Sequence, residues 1–152
     1  MYKRQAYNGR NIQTGNNWNI GTKKIVLLTS GKFLIKHSIS VAQGGSLVVI
    51  AKEGIGVYKD LGGLTTNLEG IFITDGNFYS SVENNFNFIG VKSTTSLVIR
   101  GGVIANDLSL TRDLEANNSI TPAENFSYRP DFWLNSYPGL WKRSHIWEEL
   151  AP

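Results

Sequence analysis

The sequence predicts an all-β protein built as a short parallel β-helix. A repeated apolar pattern, a glycine at a similar place in each repeat, and a composition rich in β-branched residues and glycine lead to this prediction. Four segments share an apolar run, a glycine and a second apolar run: IVLLTSGKFLI from Ile25, LVVIAKEGIGVY from Leu47, IFITDGNFYS from Ile71 and LVIRGGVIA from Leu97. Their first residues are 22, 24 and 26 apart. Such a repeat indicates a solenoid, because one unit buries its apolar side chains only against its neighbours.

The second apolar position of each unit predicts how the coils stack. We expect one column along the axis from the four first residues and another from Phe33, Ile55, Phe78 and Val103. The preceding glycine, which is Gly31, Gly54, Gly76 or Gly102, is expected at a corner, where positive φ is easiest without a Cβ. A third short run, ending at Val41, Leu61 and Leu110 and more weakly at Val82, completes three strands per coil.

About four coils are expected, with the right-handed crossovers that parallel strands strongly prefer. The stretch between Phe78 and Leu97, which contains Phe86 and Phe88, is predicted to be a loop that lengthens one coil. A β-sandwich is the alternative, because short strands at close spacing are also typical of that fold. The repeat favours the β-helix, since a sandwich need not repeat with a fixed internal glycine.

The predicted organisation has three parts: residues 1–22 as the remnant of a preceding coil, 23–110 as the β-helix, and 111–152 as an irregular, partly helical cap. Fifteen of the sixteen glycines precede residue 103, whereas all four prolines and three of the four tryptophans lie in 122–152. Thr121, Pro122 and Glu124 are spaced as a capping box, which predicts a short helix beginning there. The segments YRPDF and SYPGL are predicted to be extended or turn segments, because residues before proline avoid the α region.

The first five residues, MYKRQ, carry no apolar run and predict no structure of their own. They match the translation of GTG followed by TATAAGAGACAG, part of a library adapter, so we expect a technical scar and a natural start further upstream. Ala6 to Gly21 is then expected to be poorly supported, with an uncovered coil near Ile25. Removing Lys3 and Arg4 from the 15 basic residues leaves 13 against 12 acidic ones, which predicts no nucleic-acid partner.

Candidate catalytic groups are few in this sequence. Cysteine is absent, which excludes disulfides and thiolate sites, and His37 and His145 lie far apart without a metal-binding motif. No metal site and no cofactor is therefore predicted. Asp60, Asp75 and Asp107 occupy comparable late positions of successive coils and could serve as the acids of a polysaccharide-cleaving enzyme. Each also has the neighbours of a turn aspartate, which is the interpretation we favour.

The aromatic tail has two interpretations that do not exclude each other. Trp133, Trp141 and Trp147 could form a platform for sugar rings, or they could cover the open end of the solenoid, whose strand edges need protection. Arg112, Arg129 and Asp131 are expected to fix the tail onto the last coil. We favour the cap, because the tail directly follows that coil.

The tail carries a more specific pattern than the coils. Arg112-Asp113-Leu114, Pro122-Ala123-Glu124, Tyr128-Arg129-Pro130-Asp131 and Trp147-Glu148-Glu149 occur in this order. The chain resembles the C-terminal region of long, mostly uncharacterised surface proteins of ultra-small uncultivated bacteria, over about residues 30–152. The resemblance implies a β-helix-like module at the end of a large exported or surface-anchored protein, and it carries over no established enzymatic activity.

These observations predict a non-enzymatic structural or adhesive module at the bacterial cell surface. Its expected partners are a glycan, another cell-surface molecule and further coils upstream, with a membrane reached only through a missing N-terminal anchor. A polysaccharide lyase or glycosidase is one alternative, and a phage-type spike domain that trimerises through an apolar face is another.

Overall fold

Parallel strands form most of the regular structure of the protein. The computed structural model describes residues 2–7, as backbone, and residues 10–136. The strands are β1 Tyr2–Tyr7, β2 Ile12–Gln13, β3 Trp18–Gly21, β4 Lys24–Thr29, β5 Lys32–Ile35, β6 Ile39–Val41, β7 Ser46–Ala51, β8 Gly54–Tyr58, β9 Leu68–Thr74, β10 Asn77–Val82, β11 Leu97–Ile104, β12 Asp107–Ser109 and β13 Glu124–Tyr128. A 3₁₀-helix, Glu115–Ser119, precedes β13, and the α-helix α1, Pro130–Asn135, follows it.

The strand pairings of the described residues are all parallel and wind the chain into about five turns of a β-solenoid. The first face stacks β1, β4, β7, β9 and β11, and the second stacks β2, β5, β8, β10 and β12. The third face consists of β3, β6, the beginnings of β9 and β11, and β13. The predicted parallel β-helix is confirmed, with slightly more coils than expected. The sandwich alternative is wrong, because the sheets of a sandwich are antiparallel.

The core is a set of apolar columns along the axis. On the second face Phe33, Ile55 and Phe78 pair in register and are fully buried, as predicted. This column ends at Leu108, which pairs with Phe78, and the predicted last member Val103 lies on the first face instead. The strands β5, β8 and β10 of the second face are short and each follows a two-residue bend, so the apolar pattern locates them well.

The predicted column of the first face is correct only for its first two members. Ile25 pairs with Leu47, but Ile71 pairs with Val48, and Leu97 lies on the third face beside Glu124. The reason is that β9 and β11 run from the third face to the first without a break. Their apolar runs therefore begin before the corner, and the start of a run does not mark the start of a face.

Two stacked glycines bend these two continuous strands. Gly70 and Gly101 pair with each other and have φ of 150° and 139°. A Cβ placed on Gly101 would lie 1.9 Å from the Gly70 carbonyl oxygen. Both the positive φ and the close approach of the two backbones require glycine. Gly102, predicted at the corner equivalent to those of Gly31, Gly54 and Gly76, is not at a corner, because it lies within β11, one residue beyond this bend.

The first coil is better formed than expected. β1, β2 and β3 pair with β4, β5 and β6, so residues 2–7 and 10–21 build a coil of their own, and Tyr2 to Gln5 belong to its first strand. Ile25 pairs with Lys3 and is not at an uncovered end. Ala6 to Gly21 was expected to be a poorly supported remnant of a preceding coil, but its described backbone continues the ladders of the following coils.

The tail also differs from the prediction. Glu124, expected in the first turn of a helix, begins β13, which pairs with β11 over five residues and continues the third face beyond Leu110. The helix lies further on, at Pro130–Asn135. Arg129 is extended, with φ of −123° and ψ of 93°, as expected before a proline, but the PDF residues that follow are helical. The ladder to β11 outweighs the local capping signal.

Candidate functional site

Arg112 lies in the interior of the C-terminal coils, although its guanidinium is charged. It is 6% exposed and donates to three backbone carbonyls: Nε to Ser80 at 2.8 Å, Nη1 to Thr95 at 2.9 Å and Nη2 to Tyr58 at 3.2 Å. Nη1 also donates to Thr95 Oγ1 at 2.9 Å. The planar fork of arginine suits such a fixed set of acceptors. Arg112 thereby joins three segments that are far apart in the sequence.

Hydroxyl groups and one carboxylate complete this network. Glu124 Oε1 accepts hydrogen bonds from the Arg112 backbone N–H at 3.0 Å and from Ser80 Oγ at 2.8 Å. Ser93 Oγ donates to the Lys59 carbonyl at 2.6 Å, and Thr95 Oγ1 donates to the same oxygen at 3.2 Å. Each buried polar group named here has a partner, so the network holds the third, fourth and fifth coils together.

Burial sets the electrostatics of Arg112. Desolvation lowers the pKa of its guanidinium to about 10, against the smaller opposing effects of Glu124 and Asp60. The group therefore remains protonated at neutral pH. We expected Arg112 to fix the tail onto the last coil, and this role stays a prediction. Arg112 lies at the start of the tail, and its guanidinium contacts the two preceding coils.

Arg129 holds the segment around α1 against the side of the solenoid. Its Nη1 donates to Glu69 Oε1 at 3.1 Å and to the Val41 carbonyl at 3.3 Å, and its Nε donates to Asp131 Oδ1 at 3.0 Å. The hydrogen bond with Asp131 raises the pKa of Arg129 and lowers the pKa of Asp131. Glu69 lies directly before the bend at Gly70 and also accepts from the Val41 N–H at 2.7 Å.

The helix itself covers the glycine corner between the third and first faces. Phe132 is fully buried in the main core cluster, and the Arg129 guanidinium lies 4.0 Å from its ring centroid. Trp133 is half-buried and packs against this cluster, 3.6 Å from the place where a Cβ of Gly102 would lie. Ser46 Oγ donates to the Asn135 carbonyl. The tail was expected on the last coil, but α1 contacts residues of earlier coils as well.

An apolar groove opens at the C-terminal end of the solenoid. Its volume is about 360 Å³, and Leu108, Leu110, Phe126 and Tyr128 line it with exposed fractions of 44% to 68%. Ile99, Gly101, Gly102, Val103 and Ser127 complete the lining. The groove exists because β12 and β13 have no further coil to pair with among the described residues. The described tail residues thus complete the fifth coil with β13 and add a helix on the side of the solenoid, and they leave this end uncovered.

A second groove of about 360 Å³, the lateral groove, lies on the side of the solenoid and is lined by polar side chains and by a larger apolar surface. It is formed where the loop after β8, the segment before β11 and the 3₁₀-helix meet. Its polar residues are Thr94, Thr95, Ser96, Asn117 and Thr121, and Gly63, Leu64 and Leu114 complete the lining. Leu64 is 79% exposed. The sequence carries no signal of this groove, because its residues come from three separate segments.

The predicted loop with Phe86 and Phe88 is present, and it packs on the outside of the second face. Phe88 joins Leu34 and Val82 in a small buried cluster, with Phe86 at its edge. The Phe88 ring lies over Gly56, where a Cβ would come within 3.1 Å of it. Glycine in this strand therefore leaves the space that the ring occupies. The cluster gives the second face an apolar layer on both sides in this region.

The three candidate acids are all exposed and lie in two different regions. Asp60 follows β8, at the corner between the second and third faces, and its hydrogen bond raises the pKa of Tyr58. Asp75 and Asp107 lie at the corner between the first and second faces, and Asp107 pairs in register with Asn77. The expectation that all three occupy comparable positions is wrong, because the coils bend at different points of the apolar pattern.

The remaining candidates are divided between the described residues and the rest of the chain. His37 is half-buried beside β5, and Trp133 is half-buried as described above. His145, Trp141 and Trp147 lie outside the described residues. Within residues 10–136 no group of three or more His, Asp or Glu side chains could hold a metal ion.

Comparison with known proteins gives no relative for this chain. No protein-family model, no curated protein and no solved structure matches it. In the part of the chain that the structure describes, no helix is long and apolar enough to span a membrane.

Proposed function

We propose that the chain is a non-enzymatic structural or adhesive module of a bacterial cell-surface protein, and that the lateral groove is its contact surface. The resemblance of the tail to the C-terminal region of bacterial surface proteins supports the cell-surface context. The lateral groove supports a contact function, because hydroxyl and amide side chains share its lining with the exposed Leu64. Such a lining suits a neutral glycan, which offers hydroxyl groups for hydrogen bonding and C–H faces for apolar contact.

The rigidity of the groove supports this proposal. Thr95 is held by Arg112 and by the Lys59 carbonyl, and Ser96 Oγ donates to the Gly63 carbonyl at 3.0 Å. Because these side chains are already fixed by internal hydrogen bonds, a ligand would not have to order them on binding. Thr94, Asn117 and Thr121 are the lining side chains that remain available for contact.

The test is binding of the immobilised full chain to whole bacterial cells and to a panel of neutral polysaccharides. We expect retention that decreases at least tenfold in Asn117→Ala and Thr121→Val. Ser119→Ala is the matched control, since Ser119 is exposed in the same region but does not line the groove. Equal retention of all variants would contradict a contact function of this groove.

The same samples distinguish the enzyme alternative. New reducing ends or unsaturated sugars in the polysaccharide fractions, decreasing in Asp75→Asn or Asp107→Asn, would replace the adhesive proposal by a polysaccharide-cleaving one. We expect no such products. A trimer in sedimentation would instead favour the spike alternative.

A further inference from the structure

We propose that residues 137–152 of the same chain cover the apolar groove at the C-terminal end of the solenoid. The first argument is the groove itself. Leu108, Leu110, Phe126 and Tyr128 lie together at the end of the last coil and remain between 44% and 68% exposed within the described residues. A contiguous apolar surface of this kind marks a site where another element packs.

The position of the described chain end is the second argument. Trp133 packs beside Gly102, which lines the groove, and Ser136 follows three residues later. The Asn135 carbonyl accepts from Ser46, at the start of the third coil. Neighbouring coils lie about 4.8 Å apart, so the end of the fifth coil is roughly 10 Å from this point. Sixteen residues can span up to about 50 Å and reach it easily.

The composition of the segment is the third argument. Tyr137, Leu140, Trp141, Ile146, Trp147 and Leu150 are six large apolar or aromatic side chains within these sixteen residues. A tryptophan buries about 150–250 Å² when it packs against apolar side chains. Trp141 and Trp147 are the expected anchors. The segment thus supplies the apolar surface that the end of the solenoid lacks.

A second copy of the chain would be the competing occupant. A segment tethered to the same chain has an effective concentration in the millimolar range, whereas a second copy is present at its actual concentration. At micromolar protein the tethered segment therefore fills the groove first. This also protects the free edges of β12 and β13 against pairing with another chain.

The absence of cysteine from the sequence allows a direct test in the full chain. Ser127→Cys places a thiol in the groove, and Ser119→Cys places a control thiol on the same coil outside it. Each is combined in turn with Lys142→Cys, Ser144→Cys or Glu148→Cys, which leaves both tryptophans unchanged. Mild oxidation is followed by non-reducing electrophoresis and mass spectrometry of the linked peptides.

We expect at least one tail cysteine to form an intramolecular disulfide with Cys at 127 and at least fivefold less with Cys at 119. Disulfides only between two chains would overturn the proposal in favour of a second copy. Equal disulfide formation at both positions, or none at either, would also overturn it. Circular dichroism under reducing conditions checks that each variant is folded.

A thermodynamic measurement complements the disulfides and introduces no thiols. In the full chain, Leu108→Ser and Trp147→Ser are combined as a double-mutant cycle, with a second cycle for Trp141→Ser. If one tryptophan contacts the groove, the two decreases in Tm are not additive, because either substitution alone removes the contact. Additive decreases in both cycles would count against the proposal. These outcomes are independent of glycan binding at the lateral groove.

Discussion

Replacing Arg112 by methionine tests whether the buried polar network stabilises the C-terminal coils. Methionine keeps much of the side-chain volume but donates no hydrogen bond. The carbonyls of Tyr58, Ser80 and Thr95 would each lose their bond to the guanidinium. The Tyr58 carbonyl would keep the hydrogen bond from the Leu61 N–H, so two carbonyls would be left without a partner. A buried acceptor without a partner costs about 1–3 kcal/mol, which gives a loss of roughly 2 kcal/mol or more. For a chain of this size, that corresponds to a decrease in Tm of roughly 4–8 °C.

The assay is urea unfolding at neutral pH, where Arg112 is protonated because its pKa is about 10. Arg100→Met is the matched control, since Arg100 is exposed in β11, and we expect it to stay within about 0.5 kcal/mol of the parent chain. Arg112→Lys should fall between the two, because lysine keeps the charge but not the planar fork.

One result would refute this reasoning. If Arg112→Met unfolds within about 0.5 kcal/mol of the parent chain and with the same dependence on urea, the hydrogen bonds of the guanidinium only offset the cost of burying its charge. Such an outcome is known for buried ion pairs that apolar residues replace. Arg112 would then contribute to the specificity of the fold and not to its stability.

Three further predictions concern separate parts of the solenoid. Gly101→Ala should lower the unfolding free energy by more than about 3 kcal/mol, because its Cβ would meet the Gly70 carbonyl at a strained φ. Gly15→Ala is the control and should change the unfolding free energy by less than about 1 kcal/mol, since a Cβ there has nothing within 4 Å. Chemical denaturation of both variants compares them. Phe88→Ala should cost about 3 kcal/mol by emptying the cluster outside the second face, and a normal Tm would show that this cluster contributes little. Arg129 lowers the pKa of Asp131, so the Asp131 carboxylate stabilises the fold above about pH 4, and this stabilisation is lost as the pH falls below that value. Asp131→Asn should therefore flatten the decrease of Tm between about pH 4 and 2. An unchanged slope would contradict the contact.

The sequence predicted the fold class because the β-helix repeats its packing environment. Phe33, Ile55 and Phe78 were assigned to one column correctly, since each lies in a short strand that follows a turn. The alignment failed where β9 and β11 pass a corner without a break. The bend at Gly70 and Gly101 is set by two backbones in contact, and the apolar pattern of one strand carries no signal of it.

The candidate sites were less predictable for a related reason. The spacing of Thr121, Pro122 and Glu124 is a local helix signal, but pairing with β11 is a long-range interaction that the signal does not contain. The acceptors of Arg112 are backbone carbonyls from residues 58, 80 and 95, and no residue type identifies them in the sequence. The lateral groove likewise arises only where three distant segments meet.

The contacts of α1 have a consequence for how the solenoid opens. A linear stack of coils can lose its terminal coil first, because each coil touches only its neighbours. Here Arg129 and Asn135 connect the end of the described chain to Glu69 and Ser46, two coils away from the free end. The third, fourth and fifth coils are therefore expected to exchange their amide hydrogens as one unit, with equal protection in β7 and β11.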